Sequence, residues 1–410
     1  MKRYVIIGGG VSAMNCIEGI RSLDKDGFIT MVTDEPVFNY GRPLISYYLQ
    51  GRTDLKRMAY RPESFFEDNK VRVIAGKKAE KIMPEEKQVL TEGSEILPYD
   101  ALCVCAGSRP LVPAFKGLDK VSKCFSFIDL NDALRLESAV DACSRVLIIG
   151  AGFIGLKCAE GLSGRAAKIT VCDLAPKVMA ASLDEDASAI VAEQLRRSGI
   201  DLRLSDTAES FEDGVAHMKS GRDIAFDVLV IAIGVRANTE LIAGAGGSVG
   251  KGIITDSGMK TSLDSVWAAG DCVQSIDAVS GESGVLAILP NAAMQGFTAG
   301  RNMAGASDVF DKSMRMNSIG LFGMHIMSAG ITGDCIYSEV SGSGCRKFFA
   351  KDGRLCGFIM TGDVSRAGIY TSLIRNRVPL EGIDMRQLAE YPSLLLFGTE
   401  YRKEKLGGLV

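Results

Sequence analysis

Histidine is scarce here: His217 and His325 are the only two in 410 residues. They fall in unrelated parts of the chain and read as ordinary residues, and no Ser–His–Asp set is evident. No CxxC or CxxxxC spacing occurs among the eleven cysteines. Their odd number and scatter argue against a secreted disulfide framework. Cys335, Cys345 and Cys356 are a conceivable metal or cluster set, but their spacing is wide and favours ordinary packing. Cys103 and Cys105 alternate along an apparent strand, so they share a face, as small buried apolar residues do. Basic blocks are missing too, and the net charge is −3, so nothing points to nucleic acid. Long apolar runs are lacking: Val228 to Val235 has strand length and is too short to span a bilayer. Met1-Lys2-Arg3 runs directly into an apolar strand, so no signal peptide and a cytoplasmic location are expected.

Glycine, by contrast, is placed with purpose. Tyr4-Val5-Ile6-Ile7 reads as a buried strand. Gly8-Gly9-Gly10 follows, then a helix over 11–23, then a strand over 28–32 that ends in Asp34-Glu35. In this setting Gly8-x-Gly10-x-x-Ala13 is a dinucleotide fingerprint. Gly8 allows the tight turn, Gly10 lets a pyrophosphate approach the backbone, and Ala13 lets the helix lie close on the sheet. The helix N-terminus offers N–H groups to phosphate, and Glu35 lies where a ribose hydroxyl would be bound. The device recurs. Val146-Leu147-Ile148-Ile149 leads into Gly150-x-Gly152-x-x-Gly155, and a second strand ends in Asp173. Two complete fingerprints imply two dinucleotides.

Between and after them the chain carries further punctuation. Arg42 follows the first ribose-binding strand and offers a planar donor fork to pyrophosphate. Residues 71–105 read as β-rich. They lead to Ala106-Gly107-Ser108-Arg109-Pro110, at the end of a buried strand where chain and cofactor pass closely. Pro110, Pro113 and Gly117 mark a crossing between domains. The carboxylate of Asp173 suits a free ribose 2′-OH and repels a 2′-phosphate, which favours NADH; Lys177 is the nearby cation that could offset this. A second strand-plus-glycine runs from Val228 through Gly234 to Asn238. Gly270-Asp271 follows another apolar strand, and a small-residue helix spans 289–303. From Met314 onward short strands near 317–322, 346–350 and 355–361, then a helix over 366–375, read as an α+β domain. Tyr391 to Phe397 is an apolar strip, either core or a subunit contact.

These residues resemble a known class. Gly8-x-Gly10-x-x-Ala13, Tyr40-Gly41-Arg42-Pro43, Ala106-Gly107-Ser108-Arg109-Pro110, Gly150-x-Gly152-x-x-Gly155, Ala232-Ile233-Gly234-Val235-Arg236-x-Asn238 and Ala269-Gly270-Asp271 are similar to motifs of the pyridine nucleotide-disulfide oxidoreductase superfamily. Within its glutathione-reductase structural class, the likeness is to NADH:rubredoxin reductases and the flavoprotein module of NADH-dependent nitrite reductases. Gly362-Asp363-Val364-Ser365-Arg366-Ala367-Gly368 looks like that module's last domain. The resemblance implies an α/β protein with two Rossmann-like domains, for FAD and NAD, and a C-terminal α+β domain. It implies FAD-binding segments at 1–115 and 245–312, an NAD-binding domain at 116–244 and an interface domain at 313–410. Asp271 matches a flavin side-chain ligand, and Gln295 lies on the helix that passes near the flavin ring.

The departures from that class direct the functional reading. The usual CxxxxC is missing, and Pro43 stands where single-cysteine relatives carry a thiol. Lys157 stands where many relatives have Glu, and Tyr47 where they have the Lys that pairs with it. A cation beside the flavin would favour its anionic reduced form by Coulomb attraction. The expected function is FAD-dependent electron exchange between NAD(H) and an iron–sulfur or rubredoxin-like carrier protein or subunit, without a redox disulfide. The alternatives are an NADH oxidase or small-molecule reductase (oxygen, quinone or disulfide as acceptor), and a flavin-binding structural subunit.

Overall fold

The computed structural model describes residues 1–212 and 214–405. They form two compact units. One comprises Met1–Pro176, Gly199–Asp277 and Gly281–Ser313; the other comprises Lys177–Ser198, Ala278–Ser280 and the chain from Met314.

The first unit holds two parallel sheets of the same design. β1 (Arg3–Ile7) is buried except at its first residue, α1 (Val11–Leu23) follows the glycine turn, and β2 (Phe28–Thr33) lies parallel to β1. β3 (Val71–Ala75) extends the sheet beyond β2, and Ala101–Val104 and Val266–Ala268 extend it beyond β1, all parallel. The second sheet runs Asp201–Leu204, Lys168–Asp173, Arg145–Ile149, Val228–Ile231, Cys124–Phe125, again all parallel. Such strands are buried on both faces, so they read as continuous apolar runs. Ile7 lies opposite Val32, and Ile149 lies opposite Cys172, so both glycine turns leave their sheets at the same register.

Each sheet also carries the same bracket at its opposite end. Arg3, the first residue of β1, donates from its backbone N–H and its guanidinium to Asp100, at 2.7 to 3.1 Å. Arg145 does the same to Asp227, at 2.8 to 3.0 Å. In each case the aspartate directly precedes the neighbouring parallel strand.

The first sheet is closed by a return segment. The helix Leu289–Met303 lies on α1 so closely that a Cβ at Gly19, Gly296 or Gly300 would fall 2.1–2.3 Å from a backbone oxygen of the other helix. The small residues read from the sequence are therefore a backbone-to-backbone packing face.

Val228 to Val235 is not one strand. It stops at Ile231, and Gly234 takes φ +129, a value that an L side chain rarely adopts. Val235–Ala237 then pairs antiparallel with Ser108–Pro110.

The second unit is an antiparallel sheet in the order Met316–Leu321, Met324–Gly330, Arg354–Thr361, Gly344–Lys351, Asp334–Ser341. Helix Ala367–Arg375 packs on it, and the core includes Phe348, Phe358, Tyr370 and Leu373. Strands 324–330 and 334–341 escaped the sequence reading. The latter is an edge strand whose side chains are mostly exposed, so it carries no clear apolar alternation. Of the strip from Tyr391 to Phe397, Phe397 joins the core while Tyr391 and Leu395 are 72% and 78% exposed. Cys335, Cys345 and Cys356 sit on three different strands, and no group of three or more metal-ligating side chains occurs among the described residues. No helix is long and apolar enough to cross a membrane, again among the described residues.

Candidate functional site: two glycine cradles

A cavity of about 610 Å³ opens at the carboxyl ends of the first sheet, where open parallel sheets bind ligands. Gly8, Gly10, Glu35, Arg42, Ala106, Gly107, Arg109 and Asp271 line it, joined by Tyr40, Lys78, Cys105 and Asn238.

The glycines divide their work. Gly8 has φ +118, and a Cβ there would lie 2.2 Å from the Cys105 carbonyl oxygen; it exists to let two chain segments pass. No atom lies within 4 Å of the Cβ position of Gly10 or Gly107, so these two face open space. The second fingerprint repeats the arrangement. A Cβ on Gly150, at φ +117, would meet the Ala232 oxygen at 2.2 Å, while Gly152 faces open space. A Cβ on Gly155 would strike the Gly150 oxygen at 2.0 Å, which explains the third glycine. Ala13 fills the corresponding place in the first fingerprint and is fully buried. Gly10 and Gly152 are the N-cap residues of their helices, and no side chain caps either one. Both helix N-termini therefore keep backbone donors for a ligand.

Electrostatics around the cavity are set by few groups. Arg42 forms an ion pair with Glu35 and donates to the Ile128 carbonyl at 3.2 Å. Burial works against the Arg42 charge, but Glu35 outweighs it and the guanidinium stays firmly protonated. Tyr40 Oη donates to Glu35 at 2.8 Å and accepts from the Leu130 N–H at 3.0 Å. Glu35 is thus held in place from two sides. Asp271 differs: burial pushes its carboxyl up, Arg42 alone opposes this, and no hydrogen bond contributes. A half-buried carboxylate facing a cavity in this way suits the hydroxyls of a ligand.

Arg109 does not reach into the cavity as a free donor. It bonds Asn238 at 2.7 Å and Glu240 at 2.5 Å, and Asn238 bonds the Ala106 oxygen at 2.8 Å. The set clamps the Ala106–Gly107 turn. Gln295 is buried, and both ends of its amide are engaged, with the Gly270 N–H and with Ser275, each at 2.8 Å. It supports the Gly270 turn, whose φ is +89, and so holds Asp271 in place. Pro43 lies in the short turn Arg42–Leu44 and is not part of the cavity wall.

In the second cradle, Asp173 accepts from the Ala151 N–H at 2.7 Å and from the Ala175 N–H at 2.8 Å. Its charge is fixed at the strand end, beside the glycine turn. Lys177 is paired with Glu185 at 3.1 Å. Lys157 is not among the residues lining the first cavity; it pairs with Glu160 and lies over the ring of Tyr47.

The thiols near the cavity are not poised to react. Cys103 and Cys105 lie 3.6 Å apart, Sγ to Sγ. The hydrogen bond shared with Cys103, then burial, raise the Cys105 thiol far above its usual range. Burial pushes Cys272 up to about 12. At neutral pH both are thiols, not the thiolates that redox exchange requires.

Tyr40 was legible in the Tyr40-Gly41-Arg42-Pro43 motif but was not read as a site residue. Lys78 carried no signal: it follows a turn and precedes a short strand.

Two matched glycine cradles on parallel sheets within one compact unit define a two-dinucleotide oxidoreductase. The chain belongs to the pyridine nucleotide-disulphide oxidoreductase family, whose model matches residues 2–296. Members of this family are flavoprotein oxidoreductases that bind FAD and NAD(P)H. It is 29% identical over 402 residues to the epsilon subunit of NADH-dependent phenylglyoxylate dehydrogenase from Aromatoleum evansii, covering 94% of each chain. It is 30% identical to a rubredoxin-NAD(+) reductase from Alcanivorax borkumensis, over 67% of this chain and 73% of that one. Two longer relatives are spanned over about half their length. Among solved structures, the covalent putidaredoxin reductase–putidaredoxin complex matches with a TM-score of 0.87 at 21% identity, over 96% of this chain and 97% of that one; that likeness concerns the fold.

Proposed function

We propose that this chain is an FAD-dependent NADH oxidoreductase that exchanges electrons with an iron–sulfur or rubredoxin-like carrier protein or subunit, in the cytoplasm. The observation that carries the reading is the doubled cradle: two helix N-termini, each behind a glycine with open space before it. Residues 1–115 and 245–312 would hold FAD, residues 116–244 NAD, and residues 313–410 would meet a partner.

The residues fit the two groups. Gly10 and Gly107 leave room for a pyrophosphate beside the N-terminus of α1, and Gly8 makes the turn that brings them there. Glu35, Arg42 and Asp271 offer two carboxylates and a guanidinium to ribose, phosphate and ribityl groups. Gly150, Gly152 and Gly155 repeat the cradle for NADH, and the fixed carboxylate of Asp173 selects a free 2′-hydroxyl. Bound there, FAD would supply the capacity to take a hydride from NADH and to release electrons one at a time to a carrier. The protein's part is to orient the two rings and to keep thiols out of the path. Protonated Cys105 and Cys272 offer no nucleophile for a disulfide relay.

Anaerobic titration tests this. One equivalent of NADH should bleach the bound flavin, and added rubredoxin or an iron–sulfur carrier should restore its colour. A flavin that NADH bleaches, but that oxygen or a quinone reoxidises far faster than any carrier, would move the assignment to an oxidase or small-molecule reductase. A flavin that NADH leaves unbleached would make the chain a structural subunit.

A further inference from the structure

We infer that Lys157, Tyr47 and Glu160 form a staple that fixes the spacing between the two nucleotide sites; this rests on the function proposed above. Lys157 and Glu160 face each other one turn apart on the helix Phe153–Leu162, and their side chains are only 13% and 9% exposed. A buried ion pair is a poor source of stability, because desolvation offsets most of the attraction. Such a pair is better explained by the register it imposes.

The register in question joins two particular elements. The Lys157 ammonium lies 4.3 Å from the centroid of the Tyr47 ring, within cation–π range. Tyr47 sits on α2 (Ile45–Leu49), which directly follows the turn carrying Arg42 to the first cavity. Lys157 sits in the first turns of the helix that Gly152 caps at the second cradle. One ammonium therefore touches the element behind each site, and Glu160 holds it over the ring.

The surroundings show how closely these helices meet. A Cβ on Gly161 would lie 3.3 Å from Leu49 side-chain atoms and from the Ser46 oxygen. Gln50 donates to the Glu160 carbonyl at 3.1 Å, and Arg165 donates to the Leu49 carbonyl. A snorkelling surface lysine would leave its ammonium in water; this one is enclosed by a carboxylate and a ring. The paired carboxylate also cancels the net charge that a lone cation would project toward a flavin. Hydride transfer depends steeply on the approach of the two reacting atoms, so a small slip of one helix against the other would be felt in rate before affinity.

The test uses the holoenzyme under anaerobic conditions. The rate of flavin bleaching is followed against NADH concentration, and the potential of the bound flavin is measured separately. Lys157→Met and Tyr47→Leu should each lower the limiting rate by about tenfold to a hundredfold, with the half-saturating NADH concentration and the flavin potential unchanged. Tyr47→Phe keeps the ring and Lys157→Arg keeps the cation, so both should remain near the parent rate. If a single variant fails to fold, the pair Lys157→Met with Glu160→Leu leaves no buried lone charge, and it should fold yet stay slow. A Lys157→Met enzyme with full FAD content and the parent limiting rate overturns the staple. So does a shift in flavin potential that accounts for the lost rate, since the residue would then act by its field. A parent enzyme that NADH does not bleach overturns the proposed function and the staple together; the other outcomes leave that function standing.

Discussion

Gly8 and Gly10 stand two residues apart and are needed for opposite reasons. A methyl group on Gly8 would overlap the Cys105 carbonyl, and φ +118 would strain any L residue. Gly8→Ala should therefore destabilise the fold, by at least about 2 kcal/mol, as a lower urea midpoint. Gly10 has ordinary dihedrals and open space at its Cβ. Gly10→Val should cost the flavin-free protein no more than about 1 kcal/mol, the usual cost of a poorer helix cap, while flavin absorbance per chain falls sharply. Equal loss of stability in both variants would contradict the division. Asp173 serves two ends. Asp173→Ala should reduce the preference for NADH over NADPH in flavin bleaching, and should cost stability as well, since the Ala151 and Ala175 N–H groups lose their acceptor. Cys272 donates to the Val104 and Ala269 carbonyls and stays a thiol, so Cys272→Ser with intact FAD should leave the rate of flavin bleaching largely unchanged. Loss of that rate would expose a redox role.

At the scale of elements, the two Arg–Asp brackets make a pH prediction. Hydrogen bonds from Arg3 hold the Asp100 carboxyl down at about 2, and those from Arg145 do the same for Asp227. An unfolded aspartate titrates near 4. Below that value the unfolded chain takes up protons that the folded chain refuses, so stability is complete above pH about 4 and is lost as the pH falls toward 2. The pairs are more than a third exposed, so solvent screening keeps each contribution modest. Asp227→Asn should flatten part of the fall in urea midpoint between pH 5 and 3; an unchanged slope would refute the assignment. Elements of this kind were largely legible. Strands buried on both faces read as apolar runs, and a helix after a glycine turn reads from its start. The edge strand Asp334–Ser341 was not legible, because its exposed side chains follow no apolar period. The break after Ile231 also escaped, because an apolar stretch does not reveal that Gly234 takes φ +129.

For the molecule as a whole, the fingerprints made the two-sheet plan readable, because backbone geometry at a phosphate site tolerates few residues. The engagement of side chains was harder to read. Arg109 and Gln295 are both engaged in holding the turns that flank the cavity. Those partners lie 129, 131, 25 and 20 residues away along the chain, and no local pattern announces them.

The glycine-notched seat of α1 on the helix Leu289–Met303 has a consequence for the order of assembly. The second parallel sheet lies wholly between Cys124 and Ile231, so on the ribosome its residues emerge and can close their sheet while the first sheet still lacks its outer strand and its covering helix. At about 5–20 residues per second of synthesis, α1 waits roughly a quarter of a minute to a minute for its partner, with its small-residue face uncovered.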